Sequence, residues 1–165
     1  MKDLIKGHIL SGEFDTAYRL MSEVDFLEFE EHFISAAHED ESTMFYTFIL
    51  DCIKREETNE LHDLAFLLHV YPYSDHEGAF HTAYYHAERS MIHTEHKEVK
   101  SLLQMLLLHA IPEPLLTDKQ AFDLSKQILK LDPENKVARN IMKETAKRMD
   151  QVVVDFSQLS KFNNA

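Results

Sequence analysis

The scarcity of turn-forming residues constrains the fold of this chain more than any other feature. Three glycines and four prolines punctuate 165 residues, and these two residue types are the strongest local markers of turns. A sheet of many short strands needs more of them than long helices joined by short connections do. Apolar residues also recur at helical spacing along most of the chain, as in the stripe of Met44, Phe45, Phe48, Ile49 and Cys52. The sequence therefore predicts an all-α protein.

The breaks between apolar stripes predict about nine helices in antiparallel pairs. Pro72 ends the fifth helix, because a residue before proline avoids the helical conformation, and residues 74–77 read as a capping box for the sixth. No proline-, glycine- or serine-rich linker separates these helices. We therefore expect a single helical domain over residues 1–156 and a flexible, polar tail over residues 157–165.

The composition of the chain limits the cellular compartments in which we expect it to act. Hydrophobic residues make up 44% of it, enough for a substantial core. No apolar run approaches the roughly 20 residues that span a bilayer, and charges at Lys2, Asp3 and Lys6 argue against a signal peptide. Cys52 is the single cysteine, so no internal disulfide forms. The expectation is a cytoplasmic protein with no membrane partner.

The formal net charge of −12 is unevenly spread. Residues 1–60 hold 15 acidic and 5 basic side chains, whereas residues 111–165 hold 8 and 9. No Lys or Arg lies between Arg19 and Lys54, although nine acids do. Such a field repels nucleic-acid phosphates and attracts basic proteins. The sequence therefore predicts a basic protein partner and no nucleic-acid partner. The alternative interpretation is a solvated acidic surface that aids solubility.

Two segments near opposite ends of the chain share a pattern. The first carries Gly12, Phe14 and Ala17, and the second carries Ala121, Leu129, Leu131, Asp132, Pro133 and Asn135. These residues resemble the second helix of tetratricopeptide repeats, which Gly-x-aromatic-x-x-Ala opens and Leu-x-Leu-Asp-Pro ends. Ala17 and Ala121 lie 104 residues apart, close to three units of about 34 residues. The resemblance implies an irregular tetratricopeptide-like stack that binds other proteins, with a non-repeating helical bundle as the alternative.

Eleven histidines raise the question of a metal, and their spacing argues against one. No two are four residues apart and none follows a glutamate by three, so a zinc-binding H-E-x-x-H helix and the di-iron carboxylate signature are both missing. His86 and His93 share a helix face, but seven residues rise about 10.5 Å, too far for one ion. We therefore expect no metal and no other cofactor; a metal site assembled across helices is the alternative.

The segment around 75–93 supplies one group of predicted partner-binding residues. His81, Tyr85 and Glu88 fall on one face of that helix, and Tyr71 and Tyr73 come just before it. Tyrosine and histidine combine an apolar ring with a polar tip, which suits a binding surface. The alternative is a helix that packs on two sides in the middle of the stack.

The helix at 25–39 supplies the other group. Glu28, Glu31 and Glu39 point away from its apolar arc, whereas Glu30 projects into the arc. A carboxylate in that position must be paired, protonated or placed at the mouth of a groove. Arg19 and Arg89 are the candidate ion-pair partners.

The leading hypothesis is a non-enzymatic protein that binds a basic protein partner, for example an inhibitor or immunity protein that neutralises a basic toxin. No catalytic residue is predicted: Cys52 lies on an apolar stripe, and phosphate-binding and nucleophile motifs are missing. The alternative is a metal-dependent or small-molecule enzyme that uses the His/Tyr/Glu face of the helix at 75–93.

Overall fold

The structure is a computed structural model that describes the backbone of residues 1–162 and the side chains of residues 1–150. Its nine helices are α1 (Lys2–Leu10), α2 (Phe14–Glu23), α3 (Phe26–Asp40), α4 (Met44–Arg55), α5 (Asn59–Val70), α6 (Ala79–His93), α7 (Val99–Leu107), α8 (Asp118–Leu131) and α9 (Lys136–Phe162). No strand occurs among the described residues. The predicted all-α fold and the number of helices are confirmed.

Contacts divide the chain into two compact units, Met1–Thr94 with α1–α6 and a second that begins at Glu95 with α7–α9. The boundary carries left-handed backbone at Glu95 (φ 51°) and His96 (φ 57°). The sequence marks no linker here, because this junction is built from charged residues without glycine or proline. The predicted tail starts inside α9, which continues to Phe162; residues 163–165 lie outside the described residues.

A cluster of phenylalanines forms the core of the first unit. Phe29 and Phe33 of α3 pack against Phe45 and Phe48 of α4, with ring centroids 5.4–6.4 Å apart where they touch. All four side chains are fully buried. Each such burial stabilises the fold by about 1.5–3 kcal/mol. Cys52 belongs to the same core, as its place on the apolar stripe predicts.

Helices α5 and α6 form a long hairpin across the turn at residues 71–78, and the predicted capping box in that turn is wrong. Ser74 Oγ donates to the Tyr71 carbonyl, and α6 begins only after Gly78, whose φ of 78° is left-handed. Tyr73 explains the difference, since its buried ring enters the core and its hydroxyl donates to the Ser42 carbonyl. The turn backbone follows Tyr73 inward instead of starting a helix.

The second unit pairs α8 with α9, and α7 packs on α8. Thr117 and Gln120 form a capping box at the start of α8, and Asn135 Oδ1 accepts from the Ala138 amide at the start of α9. The predicted break at Asp132–Pro133 separates the two helices. Ala121 is fully buried, as a small residue at a close helix contact should be.

Candidate functional site

An acidic groove of about 560 Å³ opens on the first unit between α3 and the end of α5. Its lining residues are Glu30, Glu31, Ile34, Ser35, His38, Glu39, Leu67 and Tyr71. Helix α3 supplies successive turns of one face, and α5 supplies Leu67 just before the helix ends. The groove therefore combines carboxylates with an apolar surface between two helices.

The carboxylates of the groove differ in their surroundings. Glu39 pairs with both Lys2 and Lys6 of α1, and the hydrogen bond from Lys2, then that from Lys6, lowers the pKa of its carboxyl. Glu31 is exposed, whereas Glu30 is half-buried in the groove wall. Glu30 thus forms part of the groove lining.

Apolar side chains complete the groove. Ile34 and Leu67 are half-buried, and the Tyr71 ring is 59% exposed and lies against the His38 ring at 5.1 Å between centroids. A large aromatic side chain held in place at the rim of a concave surface is a common anchor for protein partners. The groove thus combines carboxylates with aliphatic and aromatic surface.

The structure gathers four of the nine predicted partner-binding residues in this groove: Glu30, Glu31, Glu39 and Tyr71. Glu28 does not line the groove, and its Oε1 lies 3.8 Å from His32 Nε2. His81, Tyr85 and Glu88 are exposed on α6, outside the groove.

Two sequence-based interpretations need correction. Tyr73 is 2% exposed, so it is a core residue and not a contact residue. Arg89 pairs with Glu57 and not with Glu30, because it projects from the α6 face that turns toward the start of α5.

A seam of imidazoles runs between α5 and α6 in the same unit. His62 and His69 of α5 alternate with His86 and His93 of α6, in the order His93, His62, His86, His69. Neighbouring ring centroids lie 5.1–6.3 Å apart. The two histidines of each helix are seven residues apart, so they lie two turns apart on one face of that helix. The antiparallel packing of α5 and α6 then interleaves the two rows.

Burial keeps three of these imidazoles neutral. It lowers the pKa of His62 and of His69, and it lowers the pKa of His86 to about 3 with help from both neighbouring imidazoles. Burial also raises the pKa of the Tyr46 hydroxyl, which lies 3.0 Å from His86 Nε2. A neutral imidazole has one donor and one acceptor nitrogen.

These protonation states fix the direction of a hydrogen-bonded chain. The Glu57 carboxylate only accepts, so His62 Nε2–H donates to its Oε1 across 3.0 Å. His62 Nδ1 is then the acceptor for His86 Nδ1–H, at 2.8 Å. His86 Nε2 in turn accepts from the Tyr46 hydroxyl. The chain leads from the half-buried Tyr46 to a carboxylate at the surface.

Glu57 is the outer end of this chain and lies in the turn between α4 and α5. Its Oε1 is 2.6 Å from Arg89 Nη2, 3.0 Å from His62 Nε2 and 3.2 Å from His93 Nε2. Arg89, followed by the two imidazoles, holds the pKa of the Glu57 carboxyl at about 2. Within the part of the chain that the structure describes, Glu57, His62 and His93 are a group whose ligand atoms all lie within 4.8 Å of one another.

The spacings of single-helix metal motifs do not reveal this group, because its members come from a turn and from two different helices. The signal that could have revealed it is the repeated step of seven residues from His62 to His69 and from His86 to His93. That step places two interleaving rows of imidazoles on a helical hairpin once the turn at Pro72 is recognised.

Comparison of the chain with protein-family models, with curated proteins and with solved structures finds no match. The tetratricopeptide resemblance therefore stays a prediction, and function is inferred from the chain's own residues. None of the described helices is both long enough and apolar enough to cross a bilayer.

Proposed function

We propose that this protein binds a basic segment of a protein partner in the acidic groove between α3 and α5, and that it does so without catalysis. The observation that carries this proposal is the combination of acidic rim and apolar surface in one concave site. The exposed Glu31 supplies charge beside Glu30 and Glu39, although Glu39 already pairs with two lysines. Leu67 and Tyr71 supply contact area.

Charge complementarity favours a cationic occupant. The α3 wall of the groove belongs to residues 1–60, which carry a net charge of −10. Such a field speeds the encounter with a basic protein and slows that with nucleic acid. Lys or Arg side chains of the partner would pair with the rim carboxylates, while a neighbouring apolar residue would pack on Tyr71.

An inhibitor of a basic toxin or nuclease is a concrete form of this function. An acidic inhibitor works by covering a cationic surface that its target needs for its substrate. The single, buried Cys52 suits a reducing compartment such as the cytoplasm, where such an inhibitor would protect the cell that makes it.

The test measures binding of the full chain to a panel of basic proteins and to short peptides that carry Lys or Arg beside an apolar residue. Isothermal titration at two salt concentrations gives the affinity and its salt dependence. We expect the affinity to fall about tenfold between 50 and 300 mM NaCl, since salt screens exposed charges over a Debye length of about 10 Å at 0.1 M.

Substitutions test whether the partner binds in the groove or on the other predicted surface, the exposed face of α6. Tyr71→Ala should weaken binding about tenfold or more, as loss of an aromatic anchor does, and Glu31→Gln a few-fold. Tyr85→Ala and Glu88→Gln are the matched controls, because they remove the same groups from the exposed face of α6. Equal losses from both pairs, or binding that strengthens with salt, would overturn the proposal.

A further inference from the structure

We propose that Glu57, His62 and His93 form a binding site for a single divalent transition-metal ion, with Zn²⁺ as the best match. The site goes beyond the proposed binding groove and shares no residue with it. Two imidazoles and one carboxylate are a ligand set found in zinc and non-haem iron proteins.

The positions of the three ligand atoms suit one ion. Glu57 Oε1 lies 3.0 Å from His62 Nε2 and 3.2 Å from His93 Nε2. Zinc bonds of about 2.0–2.1 Å in tetrahedral geometry place neighbouring ligand atoms about 3.3 Å apart. Small side-chain movements therefore bring all three atoms to bonding distance, and an ion between them replaces the hydrogen bond from His62 to Glu57 and the close contact of His93 with the same oxygen.

The surroundings of His62 supply the support that a metal ligand needs. A metal-bound histidine usually holds a hydrogen bond through its other ring nitrogen, which fixes the ring. His62 Nδ1 lies 2.8 Å from His86 Nδ1, and His86 Nε2 lies 3.0 Å from the Tyr46 hydroxyl. With an ion on Nε2, neutral His62 carries its proton on Nδ1 and donates to His86. The chain to Tyr46 reverses direction and keeps all of its contacts.

The outer side of the site is open. The side chains of Glu57 and His93 are 36% and 29% exposed, whereas that of His62 is 1% exposed. Three protein ligands leave the fourth position of a tetrahedral ion for water. Arg89 now contacts the same Oε1, so on metal binding the guanidinium must move to the other carboxylate oxygen. The ion takes the place of Arg89 at Oε1.

Zinc binding to the full-length chain, stripped of metal with a chelator and dialysed, is the test. Competition against a chromophoric zinc indicator should give one bound ion per chain. His93→Gln and Glu57→Gln should each weaken that binding about tenfold or more. Both positions are partly exposed, so the variants should keep their helical circular dichroism.

His109→Gln is the matched control. His109 Nε2 lies 2.8 Å from Asp118 Oδ1, and Arg148 pairs with the same carboxylate, so this group repeats the Arg–carboxylate–histidine arrangement with only one imidazole. Zinc affinity in this variant should equal that of the unaltered chain. Imidazole NMR signals give a second readout: zinc below one equivalent should shift His62 and His93 before His109.

Three outcomes would overturn the proposal. One is that the unaltered chain binds zinc no more tightly than the His93→Gln variant does. Another is an equal loss of affinity in His109→Gln. The third is a simultaneous shift of all imidazole signals, which would show that the eleven histidines bind zinc without selection.

Discussion

His69 shows how a single buried side chain ties the stability of this protein to pH. The ring is 6% exposed, and its Nδ1–H donates to the Ala65 carbonyl across 2.8 Å. Other rings surround it: those of Tyr46, Tyr73 and His86. Burial lowers its pKa, so the folded chain holds the imidazole neutral at pH values where the unfolded chain protonates it.

The free energy of unfolding should therefore fall as the pH drops below about 6.5, the pKa of an unfolded histidine. Each buried imidazole contributes a slope of at most about 1.4 kcal/mol per pH unit, because only the unfolded state takes up the proton. Urea unfolding between pH 5 and 7.5 measures the slope. His69→Gln should reduce it, while His81→Gln, at an exposed position, serves as the control. An unchanged slope in His69→Gln would contradict this account.

At the scale of the helices, the effect of a glycine on stability depends on its backbone conformation. Gly12 (φ 74°) lies in the connection between α1 and α2, and Gly78 (φ 78°) directly precedes α6. A left-handed φ costs other residues about 1–2 kcal/mol. Gly7 lies inside α1, where glycine is a poor helix former and an added Cβ would meet nothing within 4 Å.

Replacing each of the three glycines by alanine should therefore change the free energy of unfolding in different directions. Gly7→Ala should stabilise the protein by about 0.5–1 kcal/mol through helix propensity. Gly78→Ala and Gly12→Ala should destabilise it by about 1 kcal/mol or more, since the nearest atoms lie 3.9 Å away or beyond and only the backbone resists. Denaturant unfolding measures all three. Destabilisation by Gly7→Ala, or none by Gly78→Ala, would be contrary to expectation.

At the scale of the molecule, the dominant feature is the concentration of negative charge in the first unit. Ion pairs such as those of Glu39 with Lys2 and Lys6, and of Arg55 with Asp15, offset only part of it. The excess like charge opposes compaction. That repulsion is long-ranged and is therefore screened by salt.

Added NaCl should raise the free energy of unfolding, measured in urea so that the denaturant adds no ions. Glu31→Lys should also stabilise the protein by a few tenths of a kcal/mol and weaken the salt effect, because it relieves repulsion in the acidic unit. Glu113→Lys, in the nearly neutral second half, is the control. Stability that falls with salt would show that the ion pairs outweigh the repulsion.

Local rules account for the helices that the sequence predicts correctly. Thr58 and Thr117 cap α5 and α8, and Pro72 ends α5, because each acts within a few residues of itself. The failure at residues 74–77 has a tertiary cause, since the burial of Tyr73 in the core redirects a turn that looks like a helix start. Among the predicted partner-binding residues, three glutamates of α3 line the groove, whereas the sequence did not show that Tyr73 is buried and Tyr71 exposed.

The sequence by itself determined the all-α fold, most of the helix ends, the acidic first half and a core with Cys52 inside. Only the tertiary structure decided that α3 and the end of α5 enclose a groove, and that Glu57, His62 and His93 meet. The physical reason is range: helices form from neighbours three and four residues apart, whereas each site joins groups on different elements, such as His62 and His93, which are 31 residues apart. Those groups meet only when helices pack, and packing depends on the whole set of side chains that fill the core.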